Sequence, residues 1–389
     1  MTIATAAEGV ARTRVLIVDD QRIVAEAVRR MLVPETDLEL TWCGDGTQAV
    51  AKALELRPDV ILQDLVMPDV DGLEVVTALR SEPALATVPL IVLSSKEEPA
   101  VKAESFARGA SDYLVKLPDR IELVARIRHH AAGYRARQER DAAWAALRSE
   151  LDNAAAYVRS LLPAPMGPPI SAAWRFEASS SLGGDALGFH WLDPDHFAVY
   201  VVDVCGHGVG AALLSVSVLN VLNARTLPGV DFRHPAEVLA GLNAAFPMER
   251  QHGMFFTIWY GVFHAAQRRL DYAAAAHPAA ILLAPGEGAR TLGQPNLPIG
   301  VMEGLTWATA SAHVPPGSRL VVLSDGAFEV QVAAEEGRAF AFTEFVDLVA
   351  AAPGDGPGER AEAIIASVQS IAGRPEFDDD CTLLELVLD

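Results

Sequence analysis

The stretch Asp203-Val-Cys-Gly-His-Gly208 joins a carboxylate to a glycine-rich turn. It follows an apolar run, residues 197–202, and precedes a helical pattern that begins at Ala211. That order predicts a carboxylate at a strand end, beside exposed backbone N–H and C=O groups. Three similar acidic turns flank it, each beside a predicted strand: Gly183-Gly-Asp185, Leu323-Ser-Asp325-Gly326 and Asp378-Asp-Asp380-Cys-Thr382. Because converging carboxylates repel one another unless hard cations bind between them, these turns predict a Mg²⁺ or Mn²⁺ centre.

A second set of polar residues lies in the first third of the chain, again at predicted strand ends. Short apolar runs at residues 15–18, 60–63, 90–93 and 113–115, with a weaker one at 38–42, alternate with helical patterns. This alternation predicts a doubly wound parallel sheet with helices on both faces. Function in such sheets gathers at the carboxyl ends of the strands. The residues found there are Asp19, Asp20, Asp64, Ser94 and Lys116.

These five side chains could carry out phosphoryl transfer. Asp19, Asp20 and Asp64 together would form an oxygen-rich Mg²⁺ site. Asp64, once neutralised by the metal, could attack a phosphoryl group whose oxygens Lys116 and Ser94 would bind. Any one of these residues alone reads as a solvated loop residue, but the complete ordered set favours a site.

A long helical pattern connects the first third to the rest of the chain. It runs over residues 121–162 and is interrupted only by Gly133. Its second half carries an apolar seam with alternating spacings of three and four: Trp144, Leu147, Leu151, Ala154, Val158 and Leu161. Such a seam suits pairing with a second copy of the chain or packing against a neighbouring domain. The proline-rich stretch 163–169 then marks a domain boundary.

The last 220 residues change in character. Predicted strands come in consecutive pairs, as at residues 189–192 and 197–204, and helical patterns stand between groups of strands. This order predicts two antiparallel sheets packed face to face and covered by helices.

Composition limits the kinds of partner. The chain has 389 residues, 31 basic and 51 acidic, and a net charge of −20. That balance argues against nucleic acid or an anionic membrane as the main partner. Three separated cysteines indicate a reducing compartment, and neither Met1–Arg12 nor any later run has the apolar length of a signal or membrane segment. We therefore expect a soluble, cytoplasmic protein.

The first third resembles the receiver domain of bacterial two-component response regulators. The motifs that carry the resemblance are Val18-Asp-Asp20, Asp64-Leu-Val-Met-Pro68, Ser94 and Tyr113-Leu-Val-Lys116. It implies that Asp64 takes phosphoryl from a sensor histidine kinase or phosphotransfer protein, that Asp19 and Asp20 hold Mg²⁺, and that Ser94 and Tyr113 are the switch pair. Receivers usually have proline directly after the lysine. Here Lys116-Leu-Pro118 shifts it by one, which argues against the usual cis peptide.

The rest resembles the SpoIIE-type branch of PPM metal-dependent serine/threonine phosphatases. The likeness lies in the four acidic turns, including Ser181-Leu-Gly-Gly-Asp185, and in His277-Pro278 and Leu297-Pro-Ile-Gly-Val301. It implies two Mn²⁺ or Mg²⁺ ions bridged by Asp203, with the Val204 carbonyl, Asp185, Asp325 and Asp379 as further ligands and Asp380 the less certain of its pair. After Asp185 the family usually has an aromatic residue and a further Asp, where this chain reads Ala186-Leu-Gly188.

The two resemblances together predict a response regulator with a phosphatase output. We expect an α/β receiver at residues 14–133, a helical linker at 134–163 and an α-β-β-α sandwich phosphatase at 170–389, α+β in class. The implied substrate is a phosphorylated anti-sigma-factor antagonist of the STAS type, and the linker helix favours a homodimer. The alternative is a catalytically weak module that binds a regulatory partner under receiver control. A nucleotide cyclase output is disfavoured, because Ala186-Leu187 replaces the Glu-Phe that it would need.

Overall fold

The computed structural model describes residues 12–179, 182–335 and 337–389. Most of the Met1–Arg12 stretch and Ser181 of the first acidic turn lie outside the described residues. The chain divides into two compact units between Leu147 and Arg148. The domain limits 14–133, 134–163 and 170–389 stay predictions.

The first unit is built on a parallel sheet in the order β2-β1-β3-β4-β5. Its strands are β1 (Thr13–Val18), β2 (Leu38–Cys43), β3 (Val60–Asp64), β4 (Leu90–Ser94) and β5 (Asp112–Val115). Helices α1 (Arg22–Leu32), α2 (Ala49–Leu56), α3 (Gly72–Ser81), α4 (Pro99–Ala107) and the start of α5 (Arg120–Ser160) complete it. Every residue of β3 and β4 is buried, because apolar side chains on both faces pack under helices. The doubly wound sheet predicted from the sequence is confirmed.

Helix α5 spans 41 residues without a break. It continues through Gly133, where the sequence pattern is interrupted, because a glycine inside a helix lowers stability without ending the helix. Its first turns bury Leu123, Val124 and Ile127. Farther along, the seam residues Trp144 and Leu147 are exposed.

The second unit contains two five-stranded sheets whose pairings are all antiparallel. The first sheet has the order β13-β10-β9-β8-β7, and the second has β12-β11-β14-β15-β6. The strands are β6 (Ile170–Glu177), β7 (Ala186–Asp193), β8 (His196–Val204), β9 (Phe256–His264), β10 (Arg269–Ala275), β11 (Ala280–Leu283), β12 (Ala289–Leu292), β13 (Ala310–His313), β14 (Ser318–Leu323) and β15 (Cys381–Leu388). The helices are α6 (Val209–Ala224), α7 (Pro235–Ala245), α8 (Phe342–Ala351) and α9 (Pro357–Ala372).

Two cores hold these layers together. The larger core lies between the sheets and under α6 and α7, and it contains the fully buried rings of Tyr200, Trp259 and Tyr260. The smaller core packs α8 and α9 on the outer face of the second sheet, around Val321 and Phe345. The order is therefore helices, sheet, sheet, helices, which confirms the predicted α-β-β-α sandwich and the α+β class of this part.

Among the described residues, no helix combines the length and the apolar character needed to span a membrane.

Candidate functional site

Three carboxylates meet at the carboxyl ends of β1 and β3. Asp19 and Asp64 are buried, and Asp20 is partly exposed. In the part of the chain that the structure describes, this is the one group of His, Cys, Asp or Glu in which three side chains place ligand atoms within 4.8 Å of one another. The Oδ1 atom of Asp20 accepts no hydrogen bond from a described residue. An all-oxygen group with a free buried acceptor fits Mg²⁺.

Lys116 lies between two of these carboxylates. Its Nζ atom is 2.7 Å from Asp19 Oδ2 and 2.8 Å from Asp64 Oδ2. Burial alone lowers the pKa of Lys116, but its hydrogen bonds with the two carboxylates outweigh burial and raise the pKa. Burial also raises the pKa of Asp19, and Lys116 only partly offsets that effect. The lysine is therefore charged and positioned to neutralise oxygens at Asp64.

Ser94 and Tyr113 stand on the neighbouring strands β4 and β5. The Ser94 hydroxyl is buried and accepts a hydrogen bond of 3.2 Å from the Lys96 amide. The Tyr113 hydroxyl donates to the Lys96 carbonyl at 2.6 Å, so the ring lies inward. The Lys116–Leu117 peptide is cis although residue 117 is not proline. The expectation drawn from the shifted Pro118 was therefore wrong.

The second acidic group lies at one end of the sandwich and draws on both sheets. Asp203 is the penultimate residue of β8, and Asp185 directly precedes β7 in the same sheet. Asp325 follows β14, and Asp379 and Asp380 precede β15, in the other sheet. Strand ends of two packed sheets therefore bring together acids that are far apart in sequence.

The charges of these acids act on one another, although no three of them place ligand atoms within 4.8 Å of one another. Burial, followed by the charges of Asp325 and Asp379, raises the pKa of Asp203 to about 7. Burial and then the charge of Asp203 raise the pKa of Asp185 well above its usual range. Burial also raises the pKa of Asp325, with Glu329 and Asp379 contributing. Without a cation, this end of the sandwich has an excess of mutually repelling negative charge.

A buried hydroxyl orients Asp185. Ser324 donates to Asp185 Oδ2 at 2.6 Å, and its oxygen accepts a hydrogen bond from the Thr382 amide at 2.9 Å. The other oxygen, Asp185 Oδ1, is buried and accepts nothing from the described residues. Ser324 thus fixes one carboxylate oxygen and leaves the second available to a cation. The sequence named Ser324 within a motif but gave it no role, since its partners lie far away in the chain.

Asp379 and Asp380 have different surroundings. Asp380 is buried, and its carboxylate accepts hydrogen bonds from the Ser179 amide at 2.8 Å and the Gly184 amide at 2.5 Å. Asp379 is exposed, and one of its oxygens accepts from the Asp380 amide at 2.8 Å. Asp380 therefore holds the turn that carries Asp185, whereas Asp379 keeps oxygen atoms available.

Glycines let backbone approach the acids closely. A Cβ atom on Gly184 would lie 2.8 Å from the Val204 carbonyl oxygen, which the sequence predicts as a metal ligand. A Cβ on Gly326 would overlap the Asp380 carbonyl oxygen. These turns consequently accept no side chain larger than hydrogen without movement of the backbone.

The two cysteines near the site are not placed for chemistry. Cys381 is buried, and burial raises the pKa of its thiol well above the usual range. The Sγ atom of Cys205 accepts a hydrogen bond of 3.2 Å from the Phe255 amide. His207 is exposed in the glycine-flanked turn. Oxygen atoms remain the candidate ligands, and an oxygen-rich, negatively charged site fits two divalent cations of the Mg²⁺ or Mn²⁺ type.

Comparison with known proteins agrees with both halves of the chain. The family model described as "Response regulator receiver domain" matches residues 15–128. The DNA-binding response regulator MtrA of Mycobacterium tuberculosis is 38% identical over 117 residues, 30% of this chain and 50% of that protein. The transcriptional regulatory protein PrrA of Mycobacterium leprae is 41% identical over 120 residues, 31% and 50% of the two chains. The chain spans about half the length of the curated relatives it matches.

The second half matches the fold of solved phosphatase domains. The SiaA-PP2C domain of Pseudomonas aeruginosa superposes with a TM-score of 0.56 at 24% identity, covering 64% of this chain and 99% of that one. The PP2C phosphatase domain of SpoIIE from Bacillus subtilis, with a fragment of its regulatory domain, gives 0.50 at 16% identity and covers 58% and 64%.

The fold and the comparisons thus define a response regulator receiver joined to a domain with the PP2C fold. The family model of "Stage II sporulation protein E (SpoIIE)" matches residues 193–389, about half of the chain. The chain belongs to that family. Both resemblances stated from the sequence are confirmed.

Proposed function

We propose that this chain is a cytoplasmic response regulator whose output is a Mn²⁺- or Mg²⁺-dependent phosphoserine/phosphothreonine protein phosphatase. The convergence of Asp185, Asp203, Asp325 and Asp379 from two sheets carries the proposal. The negative charges of these carboxylates repel one another, and this repulsion is unfavourable unless cations bind there.

In the proposed reaction each residue has a limited task. Asp203, whose pKa is raised by burial and by the charges of Asp325 and Asp379, would contact both cations, and Ser324 would hold one oxygen of Asp185 in a hydrogen bond. Asp325, Asp379 and the Val204 carbonyl would complete the oxygen shell. Two divalent cations held by these residues would supply an activated water and charge stabilisation for hydrolysis of a phosphate ester.

The receiver would supply the regulation. We propose that Asp64 accepts phosphoryl from a sensor histidine kinase or phosphotransfer protein, with Asp19 and Asp20 holding Mg²⁺ and Lys116 balancing the added charge. Ser94 and Tyr113 would report the modification. The exposed apolar seam of α5, including Trp144 and Leu147, supports a homodimer through this helix.

The family resemblance favours a phosphorylated anti-sigma-factor antagonist of the STAS type as substrate. The test is phosphate release from a phosphoserine STAS protein in Mn²⁺ and in EDTA, with the wild type, Asp203→Ala and Asp195→Ala. Asp195 is a matched control because it stands at the other end of β8. Release should require Mn²⁺, disappear in Asp203→Ala and persist in Asp195→Ala.

Other outcomes separate the alternatives. Tight binding of the STAS protein without release would favour the partner-binding module, a reading supported by the sequence departure at Ala186-Leu-Gly188. If the chain neither binds the STAS protein nor releases phosphate from it, the chosen substrate is excluded. Beryllofluoride with Mg²⁺ should change the release rate of the wild type but not of Asp64→Asn, and the sign of that change gives the direction of control.

A further inference from the structure

One buried histidine of the phosphatase unit has no role in the site described so far. His277 lies in the crossing from β10, in the first sheet, to β11, in the second. Its side chain is almost fully buried. The preceding Ala276 has a φ of 52°, in the left-handed region that an alanine rarely adopts. The chain therefore accepts local strain where it turns His277 inward.

His277 contacts the strand beside Asp203. Its Nδ1 atom is 2.7 Å from the Thr257 hydroxyl oxygen. Thr257 is paired with Asp203 in the register of β8 and β9. Residues directly opposite each other on neighbouring strands share one face, with Cβ atoms about 5 Å apart. The imidazole is thus linked through one hydroxyl to the position facing Asp203.

The same ring also reaches the other sheet. The backbone of Leu323, the last residue of β14, is close enough to raise the pKa of His277, although burial dominates and lowers the pKa to about 3. Asp325 lies two residues beyond Leu323. The ring is therefore neutral at physiological pH, and it stands between the strand ends that carry Asp203 and Asp325.

The location of His277 matters because Asp203 and Asp325 repel each other. Asp203 and Asp325 belong to different sheets, so their repulsion tends to separate the two sheets at this end. The ring of His277 links Thr257 of β9 to the end of β14 across this boundary. The histidine is therefore placed to hold these two strand ends together against that repulsion.

We infer that His277 is a positioning residue for the proposed metal centre: through Thr257 and the β14 end it sets the spacing of Asp203 and Asp325. The inference rests on the proposed function, because it assigns His277 to that same site. It concerns neither catalysis by His277 nor ligation of a cation by its ring.

The test compares the 389-residue wild type with His277→Leu, His277→Asn and Thr257→Val, using Mn²⁺ titration by calorimetry and steady-state kinetics. His277→Leu should weaken Mn²⁺ binding about tenfold or more, the range expected for partners that orient metal ligands. The kcat should fall while the KM for the phosphoprotein stays unchanged. His277→Asn keeps a hydrogen-bonding group near the Nδ1 position and should recover most of the affinity.

A matched control separates positioning from general stability. His264 stands on the same strand as Thr257, is equally buried and pairs with Asp271 at 2.9 Å, but it lies at the opposite end of β9. His264→Asn should lower the melting temperature and leave Mn²⁺ affinity unchanged.

Three results are decisive. Wild-type Mn²⁺ affinity in both His277→Leu and Thr257→Val would overturn the inference, as would an affinity loss no greater than that of His264→Asn. If His277→Leu does not fold, Thr257→Val decides alone, since it only exchanges the hydroxyl for a methyl group. A wild type that binds no Mn²⁺ at this site would instead overturn the proposed function.

Discussion

Ser324 shows how one small side chain serves two strands. Its hydroxyl donates to Asp185, which precedes β7, and accepts from the Thr382 amide in β15. Removing the hydroxyl leaves a buried amide and a buried carboxylate oxygen each short of a partner. Such losses typically cost about 1–3 kcal/mol.

We predict that Ser324→Ala destabilises the second unit by about 1–3 kcal/mol and weakens Mn²⁺ binding, because Asp185 loses its orientation. Chemical denaturation and Mn²⁺ titration measure the two effects. Ser318→Ala is the control: Ser318 is equally buried at the other end of β14, and its hydroxyl donates to the Pro315 carbonyl at 2.6 Å. Equal loss of Mn²⁺ affinity in both variants would contradict the prediction.

The raised pKa of Asp203 predicts that the stability of the folded chain in EDTA depends on pH in an unusual way. The raised pKa of Asp203, about 7, means that the folded chain keeps a proton that the unfolded chain releases near pH 4. Folding therefore takes up a proton between these values, and this group makes folding less favourable as the pH rises through 7. Buried histidines with lowered pKa values oppose the trend, so the effect must be measured as a difference between variants.

In Asp203→Asn the side chain at position 203 cannot ionise. Comparison of this variant with the wild type therefore isolates the contribution of Asp203. In EDTA the melting temperature of the variant should gain on the wild type as the pH rises from about 5 to about 8. The gain should be several degrees, since about 1 kcal/mol shifts the melting temperature of such a domain by about 2–4 °C. A difference that does not change with pH would show that Asp203 ionises normally in the folded chain.

Two helices each contain a glycine, and these two glycines differ in the space available for a side chain. Gly133 lies on the exposed side of α5, and a Cβ there would meet nothing within 4 Å. Gly72 begins α3, where a Cβ would overlap the Asp64 carbonyl oxygen and the Leu65 backbone. The first position can gain from alanine, whereas the second has no room for it.

We predict that Gly133→Ala stabilises the first unit by about 0.5–1 kcal/mol, because alanine loses less conformational entropy in a helix. Gly72→Ala should destabilise the same unit by about 1–3 kcal/mol through overpacking. Urea denaturation of the two variants beside the wild type measures both. Destabilisation by Gly133→Ala would mean that the helix is not formed at that point.

Helices and strands could be predicted from the sequence better than the contacts between residues that are far apart in the chain. Mainly apolar runs such as β3 and β4 could be recognised because both of their faces are buried. The roles of Asp379 and Asp380 could not be separated, since adjacent residues in a turn differ in burial only through distant partners such as Ser179 and Gly184. For the same reason the part played by Ser324 depends on the packing of two sheets, which no local pattern contains.

The number of transitions in which the whole molecule unfolds depends on its buried apolar cores. Four buried apolar clusters are found in the described part of the chain, and each draws its residues from a single unit. Units with separate cores can unfold in separate cooperative steps.

We predict two transitions in scanning calorimetry. Gly133→Ala should raise one transition temperature and leave the other unchanged, because it acts on the first unit alone. Ser324→Ala should lower the other transition temperature and leave the first unchanged. A single transition that both substitutions move would show that the two cores unfold as one cooperative body.

The close backbone approaches at Gly184 and Gly326 affect how the site would respond to random mutagenesis. A carboxylate can often be exchanged for an amide with the turn intact, but a glycine beside a carbonyl oxygen admits no other residue without displacing that oxygen. In a saturation library, these glycines should therefore tolerate as few substitutions as the acids. Laboratory evolution toward another metal or substrate would have to change other positions first.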